Sequence, residues 1–196
     1  MHFNTKKLVR ELTEIADSAV AASYKFKSMT NRELNDKPHP GAWSIAQCIE
    51  HLNLYGDFYL PAISKQIQAA THNTNTTTFR SGIIGSYFAN LMRGSNGKIS
   101  KMKTPKDKEP SSSELSTTVL DRFIKQLELL KSLLSESLQV DMTRTKVPIS
   151  LTRWIKLRLG DTFRFYVYHI ERHLRQAERV ANQLRTDAAP ALFEAI

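Results

Sequence analysis

A stripe of apolar residues near the C-terminus, Phe163, Tyr166, Ile170, Leu174, Ala177 and Ala181, keeps helical spacing over the whole segment. Residues three and four apart share one face of an α-helix, so this face must be covered by other elements. Two histidines, His169 and His173, flank the stripe at the same i, i+4 spacing. An inward imidazole without a polar partner costs free energy. One metal ion shared by both rings removes that cost, and it asks for a third ligand elsewhere in the chain.

Three further stripes accompany it. Leu8, Leu12, Ile15, Ala16, Val20 and Ala22 predict a helix from about Thr5 to Lys27. Thr30 to Asn35, then Pro38, Pro40 and Gly41, form a break. Ser44 with Gln47 three residues on has the capping-box pattern of a second helix. Its buried side is Ile45, Cys48, Ile49, Leu52, Tyr55 and Tyr59; Pro61 is expected to kink or end it, and the periodicity resumes at Ile63 and Ile67. A third helix is expected from Ser112 or Ser113 to Leu138. A fourth is expected to begin after Pro148, capped by Ser150 or Thr152, to bend at Gly160 and to reach about Leu184. Four such faces predict an all-α antiparallel four-helix bundle. The expected organisation is one domain over 1–186, with an insert at about 71–114 and a tail at 187–196. The insert holds a polar tract, a short amphipathic helix from Gly82 to Arg93 expected to pack on the bundle, and a Gly, Ser, Pro and Lys-rich stretch that reads as a mobile loop.

The net charge of +9 resides in two places. Residues 93–109 carry a surplus of four positive charges and residues 144–158 a surplus of five, which together make up the whole excess. Such segments either face water or attract an anionic partner. No run of residues approaches the roughly 20 apolar positions of a membrane span. The N-terminal residues lack the apolar core of a secretory signal. The single cysteine, Cys48, excludes an internal disulfide and fits a cytoplasmic location.

His51 is the candidate third ligand. It lies three residues after Cys48 and four before Tyr55, on the border of the buried face of the second helix. Alone it would read as a satisfied core histidine; with His169 and His173 on a facing helix, it can meet them at one point. Three neutral imidazoles suit divalent Zn, Ni or Fe and leave coordination positions open, the mark of a catalytic metal site. Glu171 is two residues from each histidine of the pair, unlike the zincin arrangement. No bridging carboxylate motif appears, which argues for one metal ion. Cys48 reads as a small buried hydrophobe rather than a nucleophile. Trp43 and Trp154 read as packing anchors near helix starts, and Glu50, Arg153, Arg158 and Arg164 as solvent-facing. No catalytic residue is assigned.

The segment from Gly41 to Leu52, with Trp43, Ser44 and His51, resembles the first signature of the DinB/YfiT-like superfamily. The segment from Tyr168 to Gln176, with His169 and His173, resembles the second. The resemblance runs from the first helix to about Leu184. It implies a four-helix bundle, often a homodimer, with a metal centre held by His51, His169 and His173. Members with assigned activities include thiol-dependent S-transferases and a thiol-dependent isomerase.

The leading expectation is therefore a divalent-metal-dependent enzyme acting on a small molecule, an S-transferase using a low-molecular-weight thiol. A metal-dependent hydrolase on the same site is the alternative. A reading of another class is a non-enzymatic basic module whose segments 93–109 and 144–158 contact nucleic acid or an acidic membrane surface.

Overall fold

The computed structural model describes residues 1–70, 76–94, 103–111, 114–150 and 152–188. The elements in chain order are β1 (His2–Asn4), α1 (Thr5–Lys27), α2 (Asn31–Asn35), α3 (Ile45–Gln68), β2 (Thr78–Arg80), α4 (Ile83–Arg93), α5 (Thr118–Glu136), β3 (Lys146–Ile149), β4 (Thr152–Arg158) and α6 (Leu159–Ala188). Single 3-10 turns lie at Lys106–Lys108 and Ser137–Gln139. The protein is an all-α bundle of α1, α3, α5 and α6 with two small β-ribbons attached.

The helices start where their caps are. Asn4 accepts the Lys7 backbone N–H at the head of α1. Ser44 and Gln47 form the reciprocal capping box of α3. Just before it, Gly41 holds φ +81, a turn conformation that a Cβ disfavours, and this turns the chain into α3. The expected break after α1 contains one short helix, α2, with its own capping box between Thr30 and Glu33.

In cross-section α1 and α3 are diagonal, each packed on both α5 and α6. His51 meets His169 while Tyr59 meets Tyr166, so α3 and α6 run antiparallel. Lys27 pairs with Asp121 and Lys131 with Asp17, so α1 and α5 are antiparallel too. Asn53 bonds the Val119 carbonyl and Asp57 accepts from Gln126, so α3 and α5 run in the same direction. The long connection between them must return along the bundle, and α4 within it packs on α6. The core is continuous across all four helices, with Leu12, Ile49, Leu52, Ile63, Phe123, Leu130, Phe163 and Tyr166 almost wholly enclosed.

Several boundaries differ from the sequence reading. Pro61 neither ends α3 nor precedes a break: the helix continues to Gln68, because Ile63 and Ile67 bury the face beyond it. The third helix starts at Thr118 rather than near Ser112 or Ser113, two residues that lie outside the described ones. Leu115 is held outside the helix by the Asn35 amide, which accepts from its N–H and donates to its carbonyl, both at 2.9 Å. The fourth helix starts at Leu159, because Lys146–Ile149 and Thr152–Arg158 pair as the antiparallel strands of a hairpin. Its alternation buries Val147, Ile149 and Leu157 and turns Lys146, Trp154 and Lys156 outward. Trp154 is thus an exposed strand residue and not an anchor of a helix start. Most of the polar tract, residues 95–102 of the lysine-rich stretch, and 189–196 of the tail lie outside the described residues. No helix among the described residues is long and apolar enough to cross a membrane.

Arg164 is another correction. It is fully enclosed beside a fully buried Asp161, with Nη1 at 3.2 Å from the Asp161 carboxylate. That carboxylate also accepts from Ser81 Oγ at 2.5 Å and from the Gly82 N–H at 2.8 Å. Three donors converge on this one buried carboxylate, while Arg164 Nε is buried without a hydrogen-bond partner. This cluster therefore fastens the start of α4 to the first turn of α6. Glu50 likewise does not face open solvent; its carboxylate lies 3.2 Å from Arg122 Nη1 on α5.

Candidate metal centre

The three sequence-selected histidines come together. One ligand atom from each of His51, His169 and His173 lies within 4.8 Å of the others. His51 enters from the second turn of α3, and the i, i+4 spacing stacks the other two on the facing side of α6. His51 Nε2 and His169 Nε2 are 3.2 Å apart, and the ring centroids of the trio are separated by 4.5 to 5.1 Å. Among the described residues this is the group of histidines, cysteines and acids placed to hold a metal ion.

The second nitrogens show how the rings are oriented. His51 Nδ1 lies 2.7 Å from the carbonyl oxygen of Lys108, so it carries the proton and donates. His173 Nδ1 lies 2.9 Å from Gln176 Oε1 one turn further along α6, so it donates as well. In both rings this leaves Nε2 with the lone pair, available to an ion held by the trio. Such outer contacts fix the tautomer and raise the basicity of a metal ligand. His169 Nδ1 is buried without a hydrogen-bond partner in the protein, and its Nε2 points at His51. Two imidazole nitrogens at this separation either share a proton or, as ligands at about 2.0–2.1 Å, share one tetrahedral cation.

Electrostatics agree with that donor set. Burial pushes His51 down to about 4 and His173 down to about 3, the latter helped by the neighbouring His51. Burial, then His173 and His51, holds His169 well below the usual imidazole range. All three are neutral at pH 7, the form that binds metals.

Aromatic rings frame the trio. Trp43 lies 4.8 Å from His51 and 5.8 Å from His173 between ring centroids; Tyr55 lies 4.4 Å from His169, and Phe165 stacks on it at 5.9 Å. A cavity of about 210 Å³ opens onto the histidines. Tyr55, Tyr59 and Phe165 supply its inner wall, Phe88 and Met92 of α4 a second side, and Ile149, Ser150 and Leu157 of the hairpin a third. Lys103, Thr104 and Pro105 border it with Arg172.

Cys48 sits one turn from His51 but outside the cavity lining, and burial raises its thiol to about 12. It is the packed hydrophobe that the sequence suggested. Glu171 is turned away to Arg175. The residues that sequence reasoning missed are Lys108 and Gln176, behind the rings, and the hairpin residues of the cavity wall. Gln176 stands at i+3 from His173, a detectable signal; the Lys108 carbonyl leaves none, because any residue carries one.

No curated protein and no solved structure matches the chain. The sequence profile of the DinB superfamily matches residues 17–177, a span that reaches all four bundle helices and holds His51, His169 and His173, and the chain belongs to that superfamily.

Proposed function

We propose that His51, His169 and His173 are the protein ligands of one divalent metal ion, Zn, Ni or Fe, and that the protein is a metal-dependent enzyme transferring a low-molecular-weight thiol to a small electrophile. The observation that carries this reading is the pair of outer hydrogen bonds, from His51 to Lys108 and from His173 to Gln176, which leave both Nε2 atoms as lone-pair donors within a trio close enough to share one ion.

A bound divalent ion would supply Lewis acidity, lowering the pKa of a coordinated thiol so that it stays a thiolate at neutral pH. The protein's own groups do the rest. Three neutral ligands leave the net positive charge of the ion uncancelled, which favours an incoming anion. The aromatic and aliphatic walls exclude water from the nucleophile. Burial raises Tyr55 to about 12, so its hydroxyl keeps its proton at neutral pH and can donate to an electrophile or its leaving group. The nucleophilic sulfur must come from a second molecule, because the one cysteine is enclosed and protonated. The C–S bond forms as the bond to the leaving group breaks, and the thiol proton passes to solvent.

Elemental analysis of protein purified without a metal-affinity tag should find about one divalent ion per chain. His169→Ala should remove it; full occupancy in that variant overturns the ligand assignment. Loaded protein should then consume thiol in the presence of an aryl halide. Release of nitrophenol from a nitrophenyl ester without thiol, and no thiol consumption, would replace transfer by hydrolysis.

A further inference from the structure

A second surface lies outside the cavity and is independent of the metal. On the β3–β4 hairpin, Lys146 is paired across the strands with Arg158, and Pro148 with Lys156. Directly opposed residues project from the same face, so Lys146 and Arg158 face each other there, and among the described residues no acid pairs with either. Trp154 lies between Thr152 and Lys156, where the strand register shifts, and it is 94% exposed. Residues 142–160 contain no acid. The acids that bound this stretch are committed elsewhere: Asp141 to the backbone N–H groups of Thr143 and Arg144, Asp161 to the buried Arg164 cluster.

The neighbouring α4 packs alongside β4 and adds apolar surface. Ile83 is 92% exposed, and Ile84 and Tyr87 are more than half exposed. Residues 76–94 contain no acid either. The two parts join at Arg158, which donates to the Arg80 carbonyl at 2.7 Å and lies against Gly82 at the head of α4. A protein rarely leaves large aliphatic and aromatic side chains in water beside unneutralised cations unless that face meets a partner.

We propose that this face, the outer side of the β3–β4 hairpin with the N-terminal half of α4, docks on an anionic phospholipid bilayer. Lys146, Lys156 and Arg158 meet the headgroup phosphates, while Trp154, Tyr87 and Ile83 enter the boundary with the acyl chains. The chemistry selects this occupant over two others. A second copy would bring the same cations against each other with no acid to meet them. A nucleic acid would satisfy the cations but offer the exposed isoleucines nothing apolar to bury against.

The test is co-sedimentation of the full-length protein with vesicles of phosphatidylcholine alone or mixed with phosphatidylglycerol. Binding is expected to the mixed vesicles only, and to weaken as salt rises. The pair K146E and K156E should lower the bound fraction about tenfold or more. The pair W154A and I83S, which touches no charge, should lower it as well, with the far-UV spectrum of both variants unchanged. Failure of the wild-type protein to bind mixed vesicles overturns the proposal. So does binding to an oligonucleotide in place of vesicles, or conversion of a dimer to a monomer by W154A without any vesicle binding. Metal content has no bearing on any of these outcomes, so a failure here leaves the metal reading standing.

Discussion

The carbonyl oxygen of Lys108 lies 2.7 Å from Nδ1 of His51, although 57 residues separate them in the chain. A backbone group of the connection between α3 and α5 thereby sets the tautomer of a ring on α3. The side chain of the same lysine anchors that connection: Nζ donates to the Leu54 carbonyl at 3.0 Å and lies 5.8 Å above the rings of Tyr55 and Phe58. Connection and ligand are therefore one unit. Lys108→Ala leaves the carbonyl in place but frees the segment that presents it, and metal affinity should fall about tenfold in a chelator competition. Unchanged affinity would mean that the segment is held by other contacts.

Gln176 performs the same task for His173 from within α6. Gln176→Ala should weaken metal binding by about 10–100-fold, the usual effect of losing such a partner. Gln176→Glu should restore it, because a carboxylate accepts the same hydrogen bond and makes the ring more basic. Calorimetric titration of the metal-free proteins ranks the three; an alanine variant that binds as tightly as the parent removes Gln176 from the site.

The buried imidazoles make stability depend on pH. Their folded pKa values lie below the unfolded value of about 6.5, so as pH falls the unfolded chain takes up protons first. The metal-free protein should keep this contribution above pH about 6.5. It should lose stability progressively as pH falls through about 4 for His51 and about 3 for His173. Denaturant midpoints between neutral and mildly acidic pH measure the slope, and His51→Gln should flatten it. A profile with no slope in the parent protein contradicts the burial of the rings.

Asp161 neutralises an enclosed Arg164 and ties down Ser81 and Gly82. Asp161→Ala leaves a buried cation unpaired and should cost about 3–5 kcal/mol of stability. Gly85 packs so closely on the same carboxylate that a methyl group there would overlap it; Gly85→Ala should cost about 1–3 kcal/mol. Combined, the two should cost less than their sum, because removing the carboxylate makes room for the methyl. Additive losses by chemical denaturation would place the strain of Gly85→Ala elsewhere.

Much of this could be read from local pattern. The limits of α1 and the start of α3 follow from apolar spacing and from the Ser44–Gln47 cap, both encoded within a few residues. Where the reading failed, a distant residue intervened. Leu115 continues the stripe of α5 by spacing, yet Asn35 holds it outside the helix. Arg164 looks like a solvent-facing cation until Asp161 and Ser81 enclose it. The hairpin escaped because its alternation is short, carries Pro148 and runs straight into the stripe of α6.

The sequence by itself determined which faces of the long helices had to be buried and that three imidazoles would lie on those faces. Spacing along a helix is a property of the local backbone, so the i, i+4 pair at His169 and His173 needed no other information. Only the tertiary structure decided that α3 and α5 run in the same direction, that a hairpin and α4 wall the cavity, and that Lys108 and Gln176 stand behind the rings. The Lys108 contact and the cavity walls join residues far apart in the chain through generic carbonyls and apolar side chains, which carry no local signature. The Gln176 contact, one helical turn from His173, gained its meaning only once the rings were seen to converge.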